Sequence, residues 1–224
     1  MTAINVIRQK AAVHILTDGA AYSEAYDFAF GISKIWPLPH LNAAVAVRGP
    51  ALFAALAAHV IAMSGTTYDE MKNCAGAALR EAMPQFGDLG GLCSHGPDFE
   101  VIVAGWSETQ GADSYIVGSH GYHSGVAPWT VVPLGEVSLL PGDPEIHHEF
   151  VKVFHLGTSA EDLDPARDGL RIMQIQRGAN IKMPNGKSAL IVGAFAQLTT
   201  ITPGMITTRI VHRWSDVIGH KIAS

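Results

Sequence analysis

Two short apolar runs joined by polar residues open the chain. The runs cover residues 3–7 and 11–16, and Arg8-Gln9-Lys10 separates them. Two such runs joined by a tight polar turn predict a β-hairpin. Because a hairpin returns the end of its second strand to the beginning of its first, we expect Asp18 to lie near Thr2. A third apolar run begins directly after Lys34, and pairing alongside the hairpin would bring Lys34 to the same place.

Helical spacing follows in two stretches. Gly49-Pro50 precedes residues 51–63, in which apolar residues recur every three or four positions. Proline suits the first turn of a helix, so a helix is predicted there. Residues 66–83 show a similar amphipathic pattern, with Thr67 as a candidate N-cap and Glu70 three residues later. Two helices are therefore expected after the first strands.

Strand patterns resume after a long connection. Residues 84–97 are rich in glycine and small polar residues, which predicts a loop within the domain and not a linker between domains. Alternating or continuous apolar residues at 99–107, 114–119 and 127–140 predict a strand meander.

Two more helices and two more strands complete the pattern. The helices are predicted over residues 144–155 and 159–177, with Ser159 as an N-cap and the regular part of the second helix beginning at Pro165. The strands are predicted over residues 188–202 and 204–214. The order of strands, two helices, strands, two helices and strands predicts two sheets packed face to face with helices outside.

Composition narrows the classes of function. A chain of 224 residues with 48% hydrophobic content fits a single domain over residues 1–224. The net charge of −5 gives no electrostatic reason to expect nucleic acid or an acidic membrane as a partner. Charged residues are only 16%, and the mean hydropathy is +0.19. This composition indicates surface that is buried between subunits.

The sequence carries no evident targeting or membrane segment. The first residues lack a charged leader with an apolar core, and no apolar run approaches the roughly 18 residues of a membrane span. Cys74 and Cys93 have no metal-binding spacing, so we expect a reducing cytoplasm. His120 and His123 form a His-x2-His pair without a third ligand at a fixed spacing, and we expect no metal and no cofactor.

Thr2, Asp18 and Lys34 are the candidate catalytic residues. A threonine hydroxyl is a weak nucleophile unless a base lies within hydrogen-bonding reach, and a free N-terminal amine on the same residue can serve as that base. Removal of Met1, which methionine aminopeptidases usually perform before a residue as small as threonine, would free this amine. An ammonium at Lys34 would lower the pKa of the hydroxyl, and a carboxylate at Asp18 would keep the lysine charged. The alternative is a polar strand start, a turn aspartate and a surface lysine with no shared role.

The spacing of sixteen residues from Thr2 to Asp18, and of sixteen more to Lys34, resembles the catalytic β-subunits of the proteasome and the bacterial proteasome-like protease. These are N-terminal-nucleophile (Ntn) hydrolases. The words LTDGAA, SKIWPL and NAAVAVRG resemble the family's turn, its lysine strand and the strand that follows. VIVAGW with SYIVGS resembles a family hairpin farther along the chain. The resemblance implies an α+β fold, namely a four-layer αββα sandwich of two antiparallel sheets.

The same resemblance implies a function. The protein would be an N-terminal-threonine hydrolase of peptides or other amides, in which the backbone N–H at Arg48 or Gly49 stabilises the oxyanion. Its subunits would associate into a homo-oligomeric ring or a helical stack. Peptide or protein substrates and an unfoldase ATPase would be its partners.

Three departures from the family pattern leave other hypotheses open. The family has an aspartate in the loop after the fourth helix, but residues 178–188 contain none, so Ser188 or Asn185 would have to replace it. Only Ser138 corresponds to the family's serine after the second meander, and Arg48 stands where the family prefers glycine. These departures favour a catalytically silent structural subunit of the same fold. An unrelated α+β binding protein is the third hypothesis.

Overall fold

The computed structural model describes residues 2–23, 25–87, 98–121, 125–155, 157–182, 186 and 188–223. Within these residues the chain is an α+β protein with fourteen strands and four α-helices. The strands are β1 (Ile4–Arg8), β2 (Val13–Asp18), β3 (Ala20–Tyr22), β4 (Phe28–Gly31), β5 (Ile35–Leu38), β6 (Ala43–Arg48), β7 (Glu100–Ser107), β8 (Gly111–Gly118), β9 (Val131–Pro133), β10 (Val137–Leu140), β11 (Ile181–Lys182), β12 (Ser188–Ala189), β13 (Phe195–Thr202) and β14 (Met205–Arg213). The helices are α1 (Ala51–Ala62), α2 (Tyr68–Gly87), α3 (Pro144–Phe154) and α4 (Arg167–Gly178).

The described strands form two larger antiparallel sheets and two short ribbons. The first sheet has the order β10-β1-β2-β13-β14, and the second has the order β5-β6-β7-β8-β9. The expected hairpin is β1–β2, in which Ile4 pairs with Thr17. Strands from the C-terminal half of the chain flank this hairpin on both sides, β10 beside β1 and β13 beside β2. The hairpin therefore lies inside the sheet and not at its edge.

Apolar side chains form three main cores around these sheets. One core joins the two sheets and includes Val6 and Ile15 from the first and Ile102 from the second. A second core packs α1 and α2 on the second sheet, and a third packs α3 and α4 on the first sheet. Burial of apolar surface on both faces explains why the strands are apolar on both sides and not merely alternating.

The first two helices begin as the sequence predicts, but the second ends later. Thr67 Oγ1 accepts a hydrogen bond of 3.1 Å from the Glu70 N–H and so caps α2. The prediction of a connection from residue 84 onward is wrong over its first part, because α2 continues through Pro84 to Gly87. Pro84 cannot donate a backbone hydrogen bond, but the loss of this one bond does not end the 20-residue helix. The remainder of that predicted connection, residues 88–97, lies outside the described residues.

The start of α4 also differs from the prediction. Ser159 caps a short 3-10 turn, Ala160–Asp162, and not the helix itself. The helix begins only at Arg167, where Asp164 Oδ1 accepts hydrogen bonds from the Ala166 and Arg167 N–H groups. Pro165 lies between the two segments and disfavours helical geometry at the residue before it.

The strand predicted over residues 188–202 is divided in the structure. β12 ends at Ala189, and β13 begins only at Phe195. The residues between them form a loop in which the Ala194 N–H donates to Asp216 Oδ2 at 2.7 Å. The Asp216 side chain therefore accepts the hydrogen bond that a carbonyl oxygen of a neighbouring strand would accept in a continuous strand. No helix among the described residues combines the length and apolar character needed to cross a membrane.

Candidate active site

Asp18 is the centre of a buried polar cluster at the end of β2. Its side chain is fully buried. Oδ1 accepts a hydrogen bond of 3.0 Å from the Ala3 N–H, and Oδ2 accepts one of 3.0 Å from the Ala20 N–H. The Asp18 N–H in turn donates to the Ala3 carbonyl oxygen at 3.3 Å. The carboxylate therefore fixes the backbone next to Thr2.

Lys34 completes this cluster from the other sheet. It lies one residue before β5, and Lys34 Nζ donates to Asp18 Oδ1 at 2.8 Å. Both side chains are at least nine-tenths buried. Burial lowers the pKa of Lys34 below its ordinary value, whereas the charge of Asp18 and the hydrogen bond between the two raise it. Asp18 thus favours the ammonium form in a place where burial alone favours the neutral amine.

Thr2 lies beside this pair. It is only 5% exposed and immediately precedes Ala3, whose N–H is bound by Asp18. Successive residues of a strand alternate between its two faces, and Ile4 and Val6 both belong to the core between the sheets. Thr2 therefore shares the face that looks toward the second sheet, from which Lys34 comes. The structure brings Asp18 and Lys34 together, and Thr2 is the residue before the N–H that Asp18 binds.

Arg48 and Gly49 lie at the end of β6. The register pairs Ile35 with Ala46, so extending it by one residue sets Lys34 opposite Val47 and next to Arg48. The Arg48 guanidinium is buried and forms an ion pair of 2.6 Å with Glu100 on β7. Burial lowers the pKa of Arg48, and the charge of Glu100 opposes that shift.

Gly49 has a backbone conformation that only glycine adopts readily. Its φ is +151°, and a Cβ atom at this position would lie 2.7 Å from Phe99 Cβ. The chain therefore requires glycine here for both conformation and space.

Gln197 is a residue of this region that the sequence pattern does not single out. It lies in β13, is 5% exposed, and donates from Nε2 to Ser33 Oγ at 3.0 Å. This bond ties the first sheet to the residue before Lys34. An amide in a strand of otherwise apolar residues and threonines is the only sequence feature that points to it.

The loop between β12 and β13 is held by an ion pair between α4 and the C-terminal segment. Arg177 at the end of α4 pairs with Asp216 at 2.7 Å and also donates to the Val192 carbonyl oxygen at 2.7 Å. The Tyr22 hydroxyl donates to the Ile191 carbonyl oxygen. Burial raises the pKa of Tyr22 well above its ordinary value, and the charges of Asp18 and Asp216 add to that shift.

Ser188, a candidate to replace the missing aspartate, and Ser138, the counterpart of the family's serine, do not join the cluster. Ser188 is exposed and pairs with Lys182 in the short β11–β12 ribbon. Ser138 lies opposite Val6, four residues along β1 from Thr2, which corresponds to about 13 Å at the usual rise of a strand. Asn185 lies outside the described residues.

Metal-binding side chains do not cluster in the part of the chain that the structure describes. No group of three or more histidines, cysteines, aspartates and glutamates is placed to hold an ion there. His123, one member of the pair considered from the sequence, lies outside the described residues.

Comparison with solved structures shows that the fold is similar to that of Anbu proteins. Anbu (ancestral beta-subunit) from Yersinia bercovieri is similar with a TM-score of 0.65 and 9% identity, over 94% of this chain and 87% of that one. A mutant Anbu from Hyphomicrobium sp. strain MC1 is similar with a TM-score of 0.65 and 10% identity, over 95% and 88% of the two chains. No family model matches this sequence, and no curated protein matches it.

These findings correct the family assignment made from the sequence. The assignment to proteasome β-subunits and the bacterial proteasome-like protease is wrong, because no family model matches and the two similar structures given above are Anbu proteins. The error has a physical cause. The offsets between Thr2, Asp18 and Lys34 follow from the length of a hairpin and of the loop to the next strand. Such offsets are properties of a fold, and many families can share them.

Proposed function

We propose that this protein is an amide hydrolase in which Thr2 acts as an N-terminal nucleophile on peptide or protein substrates. The observation that carries the proposal is the Asp18 carboxylate, which binds the N–H that follows Thr2 and the Lys34 ammonium with the same oxygen. One buried carboxylate thus fixes the position of the candidate nucleophile and the charge beside it. The Anbu-like fold supports the proposal at the level of architecture.

The proposed reaction begins once the residues before Thr2 are removed. Thr2 Oγ1 attacks the substrate carbonyl carbon, and its proton passes through a water molecule to the Thr2 amine. The positive charge of Lys34 favours the developing alkoxide, and the Gly49 N–H donates to the oxyanion. The protonated amine then gives its proton to the leaving nitrogen as the C–N bond breaks. A second water hydrolyses the ester on Thr2 and restores the hydroxyl.

The environment of Lys34 suits this role. Opposite charges at a short distance interact strongly where water is excluded, so the carboxylate of Asp18 stabilises the ammonium form. Each unit of pKa displacement corresponds to about 1.4 kcal/mol between the two protonation states. Without Asp18, burial would favour the neutral form of Lys34, which supplies no positive charge to the Thr2 hydroxyl. Loss of Asp18 is therefore expected to abolish activity as well as to disturb the local packing.

Architecture and assembly form the second part of the proposal. The three cores support the layer order of α1 and α2, second sheet, first sheet, and α3 and α4, which is the four-layer αββα sandwich. We infer that copies of the chain associate into rings or a helical stack, which the low charge content supports. An unfoldase ATPase is the partner that a sequestered hydrolase of folded substrates would require.

Intact mass spectrometry of the native protein, before and after a β-lactone probe, tests the proposed function. We expect a chain that begins at Thr2 and gains one probe mass. The Thr2→Ala variant is expected to gain none, and Thr199→Ala is the matched control because Thr199 is a buried threonine of β13 bonded to Thr208. Absence of an adduct in the wild-type chain with Thr2 at its N-terminus would contradict the proposal.

A catalytically silent subunit of the same fold is the second candidate. The observation that favours it is the buried ion pair between Arg48 and Glu100, which places a large charged side chain next to the proposed oxyanion donor. The absence of aspartate from residues 178–188 points the same way. In this case the mass would retain the residues before Thr2, and no probe adduct would form.

A further inference from the structure

The hydroxyl group of Thr17 is a buried polar group without a hydrogen-bond partner. Thr17 is 0% exposed, and no described atom lies within hydrogen-bonding distance of its Oγ1. Leaving a hydroxyl buried and unpaired costs about 1–3 kcal/mol in typical proteins. A valine would fill the same volume without that cost, so the hydroxyl calls for an explanation other than packing.

The register of the first sheet directs Thr17 toward the candidate active site. Thr17 lies opposite Ile4 on one side and opposite Gln197 on the other. Val13 and Ile15, which alternate with it along β2, belong to the core between the sheets, as does Ile4. The Thr17 side chain therefore points to the face that carries Thr2.

Thr2 and Thr17 are diagonal neighbours on that face. Because Ile4 pairs with Thr17, the residue two positions before Ile4 is the diagonal neighbour. Such neighbours lie about 7–8 Å apart between backbones, with their side chains somewhat closer. One water molecule with hydrogen bonds of about 2.8 Å fits between two hydroxyl groups at this separation.

We propose that Thr17 Oγ1 positions the water that carries the proton from Thr2 Oγ1 to the Thr2 amine. This inference rests on the proposed function. The water accepts the proton of the attacking hydroxyl and gives one of its own to the amine, while the bond between Thr2 Oγ1 and the carbonyl carbon forms. Thr17 keeps its own proton throughout and only holds the water by a hydrogen bond. It is a positioning residue.

Three variants of the full chain test the role of Thr17. Thr17→Val keeps the shape and removes the hydroxyl, Thr17→Ser keeps the hydroxyl, and Thr199→Val removes a buried threonine hydroxyl that is bonded to Thr208. For each, the rate of adduct formation with the β-lactone probe is followed by intact mass between pH 6 and pH 9, and the thermal midpoint is measured.

We expect Thr17→Val to react at least tenfold more slowly across this pH range, with an unchanged or higher thermal midpoint. Thr17→Ser is expected to react within threefold of the wild type. Thr199→Val is expected to lower the midpoint and leave the rate unchanged. A wild-type rate in Thr17→Val, or a lowered midpoint that accounts for its slower reaction, would overturn the role of Thr17 alone. A wild-type chain that forms no adduct at Thr2 would overturn the proposed function and this inference with it.

Discussion

Lys34 Nζ lies 2.8 Å from Asp18 Oδ1, and both side chains are buried where the two sheets meet. The two residues come from different sheets, so their ion pair also joins β2 to the segment that leads into β5. Removing one member of a buried pair leaves the other charge without compensation, which is usually far more costly than losing an exposed pair. Stability and chemistry therefore depend on the same contact.

Asp18→Asn is expected to lower the free energy of unfolding by about 3–5 kcal/mol, because Lys34 would remain buried without a counter-charge. The pKa of Lys34 would fall further, since the carboxylate that opposes the effect of burial is lost. Urea unfolding measures the first effect, and reaction with the β-lactone probe measures the loss of the ammonium. Asp27→Asn is the control, because it breaks an ion pair with the exposed Lys221 and is expected to cost at most about 1 kcal/mol. Equal losses in the two variants would contradict this account.

Gly49→Ala is expected to destabilise the fold and to abolish labelling of Thr2. The added Cβ would lie 2.7 Å from Phe99 Cβ, and a backbone held at φ +151° costs a non-glycine residue about 1–3 kcal/mol. Gly178→Ala is the matched control, since a Cβ there meets nothing within 4 Å. Thermal unfolding and probe labelling of both variants check the prediction, and a Gly49→Ala protein that labels normally would exclude Gly49 as the oxyanion donor.

The stability of the protein should fall between pH 6.5 and about pH 4 because of His14. Burial lowers the pKa of His14 from 6.5 to about 4, although Asp164 opposes the shift. Between these pH values His14 binds a proton in the unfolded chain but not in the folded chain. The free energy of unfolding is therefore highest above pH 6.5 and decreases as the pH falls. The loss is on the order of 3 kcal/mol. His14→Gln should flatten this part of the pH–stability curve.

Asp216→Asn is expected to loosen the loop between β12 and β13. Asp216 binds Arg177 and the Ala194 N–H. The Gly19 N–H, next to Asp18, donates to the carbonyl oxygens on both sides of Ala194, to Gly193 at 3.1 Å and to Phe195 at 2.9 Å. Hydrogen exchange at the Gly19 N–H should accelerate, and labelling of Thr2 should slow. Asp162→Asn, at an exposed 3-10 turn, is the control. Unchanged exchange at Gly19 in Asp216→Asn would show that the loop is held by other contacts.

The sequence pattern predicted those structural features that are formed by residues close together in the sequence. The β1–β2 hairpin and the Thr67 cap each involve partners within a few residues, so composition and spacing are sufficient to predict them. The meeting of Asp18 with Lys34 was predictable because a hairpin and the next strand fix where the chain returns. Whether Thr2 works as a nucleophile, and whether copies associate, stay predictions.

Contacts between distant segments were beyond the sequence pattern. Gln197 and Ser33 are 164 residues apart, and the hydrophobic periodicity of the two segments does not predict their hydrogen bond. The same holds for Asp216, which lies outside every predicted element and binds a loop that the pattern assigned to a strand. Glu100 belongs to an alternating strand, and its partner Arg48 became visible only once β6 and β7 were paired.

The pairing of Arg48 with Glu100 has a consequence for how the second sheet assembles. The two residues lie directly opposite each other on β6 and β7, and both are buried. A slip of one position between these strands would set each charge against apolar neighbours such as Val101 and leave both unsatisfied in the interior. The misaligned sheet would thus be heavily penalised, whereas an all-apolar strand end would tolerate it. The ion pair thus selects the correct register between β6 and β7. It thereby also fixes the position of Gly49, which directly follows Arg48.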